Sequence, residues 1–273
     1  MDHQTEDPEK IALASRAGGR VEIRRHGAHV VQWITAAAED VLYLSPRSRF
    51  EPGSAIRGGI PVIFPQFAEQ GPLPKHGFAR TAEWEVMETG TGRAILALTD
   101  SPATRAVWDH AFRLELRVET GPELSVSLAV HNTGDHAFEF TCALHTYLRV
   151  SDIRSAWITE LKGLRYRDKV TGGEQVQMER DLRFASETDR IYLDAPNELR
   201  VIDGRSWEST LVRKRGFRDV VVWNPWDEKA GVMDDLGADQ FHRFVCVEAA
   251  CAGEPVRLEP GGRWEGMQAI LPE

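Results

Sequence analysis

Cysteine is scarce in this chain and poorly spaced for chemistry. Of 273 residues only Cys142, Cys246 and Cys251 are cysteine. They form no CxxC pair and leave an odd count, so neither a zinc ribbon nor a disulfide framework is indicated and a reducing compartment is the simplest home. Basic charge is also in deficit, with 33 Lys and Arg against 42 Asp and Glu. The resulting net charge of −9 lacks the basic footprint that nucleic acid or an anionic membrane requires, so neither is expected as a partner. An anionic ligand would have to be small and captured by a few placed cations. HExxH and a glycine-rich nucleotide loop ending in Lys-Ser/Thr are absent too, and no metal or other cofactor is expected. No run approaches the roughly 18 apolar residues of a membrane span. The polar, acidic residues 1–10 lack the apolar centre of a signal peptide and are expected to be mobile. A soluble cytoplasmic protein follows as the expectation. Nothing divides the chain either, since there is no Pro/Gly/Ser-rich linker, composition shift or short repeat, so one domain over residues 1–273 is expected.

What is there is mostly strand pattern, in a chain whose 42% hydrophobic content suffices for a sizeable core. The clearest signal is residues 112–118, FRLELRV, where apolar and charged side chains alternate. After Gly121-Pro122 it is answered by residues 124–130, LSVSLAV. A helix would scatter those apolar groups around its axis, whereas period two puts them on one face of an antiparallel ribbon. Residues 20–24 and 29–33 read as a hairpin turned at His26-Gly27, residues 83–86 and 94–98 as another broken by Gly90-Thr91-Gly92, and residues 41–44 as a further strand. Residues 137–150 are apolar enough for a central strand, and residues 190–193, 199–202, 219–223, 243–247 and 264–271 continue the idiom. Only residues 103–110 and 231–236 suggest a turn or two of helix. Many short strands with turns about every 8 to 12 residues imply an all-β sandwich or barrel.

One stretch breaks this idiom. The apolar run of residues 60–67 is interrupted by Pro61 and Pro65, which cannot donate to a ladder, so it reads as buried but irregular backbone lining something. Gly58-Gly59 and Gly77 permit close approach, with Arg57 on one side and Arg80 on the other. Two ionisable residues stand in apolar strands elsewhere, His145 within LHTY and Glu248 after FVCV. Read from residues alone, each needs a partner or a function if buried. His145 could be a satisfied core histidine, and Glu248 could sit where a strand emerges into water.

The segments IRGGIPVIFPQF and LPKHGFAR together resemble the signature of hexose-6-phosphate 1-epimerases, a branch of the aldose 1-epimerase (galactose mutarotase) family. LHTYLRV and FVCVEAA are similar to that family's two catalytic strands, and TDRIY and VVWNPW to two further motifs, so the resemblance runs from about Gly58 to Trp264. It implies a large antiparallel β-sandwich of the galactose mutarotase-like type, with few short helices, acting as a monomer on a small sugar phosphate. It also implies His145 as general acid, Glu248 as general base, Asp189 as a substrate-binding carboxylate, and Arg57 and Arg80 as phosphate ligands. Where the family often has glutamine this chain has Lys75, either a third cation or a solvated lysine, and His76 is a further polar contact. Trp33, Phe67, Trp223 and Trp226 could stack on a sugar or belong to the core. The chemistry suits these types: interconverting anomers needs a proton taken from the C1 hydroxyl and one given to the ring oxygen, with both groups near their ordinary pKa values. Mutarotation of unphosphorylated aldoses, glycoside hydrolysis with Glu248 and Asp189 as the carboxylates, and non-catalytic sugar binding are the alternatives.

Overall fold

The computed structural model describes residues 9–273. The expected mobile start therefore lies outside the described residues except at its end, where Lys10 opens the first strand. Strands β1 (Lys10–Ala14), β2 (Arg20–Arg24) and β3 (His29–Ile34) form a small antiparallel sheet. The two large sheets account for the rest. One has nine strands in the order β14 (Leu182–Arg183), β11 (Trp157–Ile158), β16 (Glu198–Ile202), β17 (Ser209–Arg215), β20 (Arg263–Pro272), β8 (Leu124–Asn132), β7 (Phe112–Thr120), β6 (Arg93–Thr99), β5 (Glu85–Gly90). The other runs β13 (Glu174–Val176), β12 (Arg165–Asp168), β15 (Thr188–Tyr192), β18 (Asp219–Asn224), β19 (Phe244–Leu258), β9 (Phe138–Leu144), β4 (Val62–Ile63), with β10 (Tyr147–Arg149) also paired to β19. Every ladder between these strands is antiparallel.

Period-two alternation sorts side chains between the faces and makes a sandwich. Leu114, Leu116, Val126 and Leu128 of the nine-stranded sheet share one buried core with Phe140, Val220, Val222, Val245 and Val247 of the other. On the opposite face of the second sheet the same strands present Val221, Trp223, Cys246, Glu248 and Ala250. That outer face carries two smaller apolar clusters, one around Ile63, Phe67, Ile191, Val221 and Ala250, the other around Tyr43, Tyr147, Trp223, Phe244 and Cys246. The ground between them is where a ligand can lie.

Several expectations shift locally. Residues 41–44 form isolated bridges rather than a ladder strand. Helix α1 (Pro102–Val107) starts where Ser101 and Thr104 make a reciprocal capping box, close to the expected place. Helix α2 (Trp226–Gly231) ends where a helical turn was expected to begin; it follows Pro225, and Asn224 Oδ1 accepts from the Trp226 N–H at its start. The apolar stretch of residues 137–150 is two strands, β9 and β10, interrupted at His145-Thr146. Trp33 is fully buried, its indole donating to Thr120 Oγ1, and Trp226 packs on Phe241, so both are packing residues and not sugar platforms.

Candidate active site

The proline-interrupted segment does line something. Only Val62 and Ile63 reach a ladder, beside β9, and the Phe64–Pro65 peptide is cis. The chain then doubles back through residues 66–77, stapled by Gln66, whose amide donates to the carbonyls of Ala68 and Leu73 and accepts from the Leu73 N–H. Gly77 closes this loop at φ 65°, and a Cβ there would meet Phe64 O at 2.1 Å, so only glycine permits the approach. Gly59 does the same beside Val30 O at 2.2 Å. Arg57 and Arg80, 23 positions apart in sequence, are thereby brought to one pocket.

That pocket, about 270 Å³, is lined by His145, Glu248, Asp189, Trp223, Phe67 and His76 together with five cations, Arg57, Lys75, Arg80, Lys169 and Lys229. A larger hollow of about 350 Å³ near Asp40, Arg149 and Glu273 is a surface groove with no buried acid–base pair. Glu248 sits mid-strand, not at a strand end, and is 1% exposed. β9 pairs Leu144 with Ala249, so the next residue, His145, falls opposite Glu248 just past the last rung. The result is a contact of 3.3 Å between His145 Nε2 and Glu248 Oε1. Glu248 Oε2 and His145 Nδ1 are buried without partners.

Burial dominates the electrostatics. It pushes the Glu248 carboxyl well above the usual range, with the charge of Asp189 adding and Lys169 opposing. It holds the His145 imidazole well below its usual range, assisted by Arg57 and Arg80. The expectation of near-ordinary pKa values is thus corrected: both groups are strongly moved, in opposite senses, because both leave water. A raised carboxyl beside a lowered imidazole favours a proton on Glu248 over one on His145, and anomerisation takes one proton off and puts one on. His76 is also kept neutral, chiefly by burial and then by His145, and its Nδ1 accepts from the Ala68 N–H, which leaves Nε2 to carry the proton. Asp189 is raised by burial and restrained by Lys169 at 3.3 Å.

The cations are not equivalent. Lys169 pairs with Asp189, Lys229 with Glu187, and Lys75 with Glu69 at 2.8 Å in an exposed position at the rim. Arg57 spends three of its five N–H groups, Nε and Nη2 on Asp235 Oδ2 and Nη1 on the Tyr147 hydroxyl, leaving two. Arg80 donates from Nη2 to Lys75 O, its Nε is buried without a partner, and among the described residues no carboxylate lies within ion-pair distance of it. Its guanidinium is held below the ordinary arginine range by burial and by Arg57. A small dianion would satisfy both arginines together.

All seven residues expected at the site, Arg57, Lys75, His76, Arg80, His145, Asp189 and Glu248, line this one pocket. Sequence reading missed Lys169, Lys229, Tyr147 and Asp235. Lys169 follows β12, a strand too short and polar to mark, Lys229 lies within the short helix α2, and Asp235 follows that helix where only a turn was expected. Tyr147 lay in plain view, two residues after His145 and hence on the same face of the sheet.

Among known proteins, a family model described as aldose 1-epimerase matches residues 9–270. A protein of Cenchrus ciliaris named "Putative glucose-6-phosphate 1-epimerase" is 37% identical over 276 residues, 96% of this chain and 84% of that one. One of the same name from Escherichia coli K12 is 38% identical over 241 residues, 85% and 80% of the two chains. The crystal structure of a "putative mutarotase" from Salmonella typhimurium superposes with a TM-score of 0.88 at 31% identity, covering 96% of this chain and 90% of that one. The sandwich is thus a galactose mutarotase-like fold.

Proposed function

The chain belongs to the aldose 1-epimerase family, and within it we propose that this member interconverts the α and β anomers of hexose 6-phosphates, glucose 6-phosphate first among them. Glu248 in its ionised form takes the proton of the C1 hydroxyl while protonated His145 delivers one to the ring oxygen. The ring opens to the aldehyde, the C1–C2 bond rotates, and reclosure on the other face returns both protons. One proton moving across the 3.3 Å between Nε2 and Oε1 sets the starting form, so no other acid or base is required. Trp223 and Phe67 wall the ring, and Asp189 with Lys169 is placed to hold hydroxyls.

The observation that carries the phosphate half of this reading is Arg80. A guanidinium with a buried, unpartnered Nε and no counter-ion among the described residues is costly, and the neighbouring charge of Arg57 adds to the cost. A free sugar offers no remedy, whereas a phosphate dianion does. The relatives named for glucose 6-phosphate support the same substrate class. Exchange NMR at equilibrium tests it: the enzyme should speed anomer exchange of glucose, galactose or mannose 6-phosphate far above that of free glucose or galactose. Equal acceleration of free and phosphorylated sugars would return the reading to a general mutarotase.

A further inference from the structure

Histidines that handle protons are usually held by an acceptor on the ring nitrogen that does not react. His145 has none, for its Nδ1 is buried and unpartnered. Its orientation must come from its contact with Glu248 and from rings packed around it. His76 meets it edge-on at 5.6 Å and Trp223 at 5.9 Å, but Tyr147 lies nearly parallel, 16° off plane at 5.0 Å. Of these three rings Tyr147 alone bonds to Arg57, its hydroxyl accepting from Nη1 at 2.9 Å. The phenol is buried in the cluster of Tyr43, Trp223 and Phe244, which gives it little freedom to move independently.

We propose that Tyr147 is a positioning residue that couples the phosphate end of the pocket to the proton-transfer end, its hydroxyl fixed by Arg57 and its ring fixing the plane of His145. The inference rests on the sugar-phosphate reading above. A phosphate that draws on the two remaining N–H groups of Arg57 stiffens the guanidinium, which stiffens the phenol, which narrows the orientations open to the imidazole. Anchoring of the substrate's far end then improves the geometry at its reacting end, a use of remote binding energy for orientation.

Two variants separate the hydroxyl from the ring. Tyr147→Phe keeps the stack and cuts the bond to Arg57. Tyr147→Leu removes both, and its fold is checked by thermal unfolding before use. With hexose 6-phosphate, Tyr147→Phe should lower kcat/KM by about tenfold with part of the loss in kcat, because the anchored phosphate no longer fixes the imidazole. Tyr147→Leu should lower kcat by about 10²-fold, as expected when a reacting group is misplaced by roughly an ångström. A readout free of turnover is the ring ¹⁵N signal of His145 during titration with inorganic phosphate. It should shift in the wild type and stay still in Tyr147→Phe, even at phosphate concentrations that saturate the variant. If phosphate binds and the His145 signal shifts equally in Tyr147→Phe, or if folded Tyr147→Leu keeps wild-type kcat, the coupling is refuted while the substrate reading stands. If phosphate does not bind the wild type at all, the substrate reading fails and the coupling with it.

Discussion

Replacing Arg57 or Arg80 with alanine should weaken use of hexose 6-phosphate, and the structure makes the two losses unequal. Arg80 has one bond within the protein and no counter-ion among the described residues, so its removal deletes phosphate contacts and little else. One hydrogen bond to a charged group, worth about 1.5–3 kcal/mol, corresponds to roughly a 10- to 100-fold fall in kcat/KM. Arg57 holds Asp235 through Nε and Nη2, and deleting it leaves that carboxylate facing the incoming dianion. Like-charge juxtaposition adds a penalty, so Arg57→Ala should lose about tenfold more than Arg80→Ala, on the order of 10²- to 10³-fold in all. Asp235→Asn placed on Arg57→Ala should recover part of the difference. The assay is kcat/KM for anomer exchange on glucose 6-phosphate and on free glucose, measured for each variant. Any activity on free glucose should fall far less in Arg80→Ala, which touches neither the ring nor His145, and by at most the loss of the Tyr147 bond in Arg57→Ala. Equal losses on both sugars would show that the arginines hold the fold or the ring, and the phosphate site would have to be sought elsewhere.

Two further outcomes are expected. Asp189→Asn should raise KM for free and phosphorylated hexoses alike, since Asp189 and Lys169 pair at the end of the pocket away from Arg57; a loss confined to the phosphorylated sugar, measured by the same exchange assay, would contradict this placement. Acid should destabilise the fold in part through His29, whose Nε2 donates to Gly58 O at 2.7 Å and whose pKa burial lowers to about 4. The unfolded chain binds a proton there below about pH 6.5 and the folded one does not until about pH 4, so stability falls as pH drops through that window, by about 3 kcal/mol at the lower end. His29→Gln should flatten that part of the urea-midpoint curve between pH 7 and 4, and an unchanged slope would remove His29 from the account.

The strands whose alternation is strict were legible in the sequence, β7 and β8 above all, because a half-buried ribbon imposes period two on its residues. Strands β11 to β14 were not, being two to four residues long and partly polar, and β17 carries Arg213, Lys214 and Arg215 at its end. Lys214 is buried there with its ammonium on the carbonyls of Ala195, Phe217 and Arg218, a satisfaction that no local pattern announces. At the site, the residues carried by motifs line one pocket. Asp235 and Tyr147 act on those residues from behind, and their roles exist only once residues 57, 147 and 235 meet in space.

Proton exchange between the sugar and the pair Glu248 and His145 is put to the test by Glu248→Gln. The substitution keeps the shape of a side chain that is 1% exposed and removes the base. Anomer exchange of glucose 6-phosphate, followed by NMR at equilibrium, should slow by at least about 10²-fold while ³¹P titration shows the phosphate still bound, and His145→Asn should behave likewise. A folded Glu248→Gln protein that exchanges anomers at the wild-type rate would contradict the account.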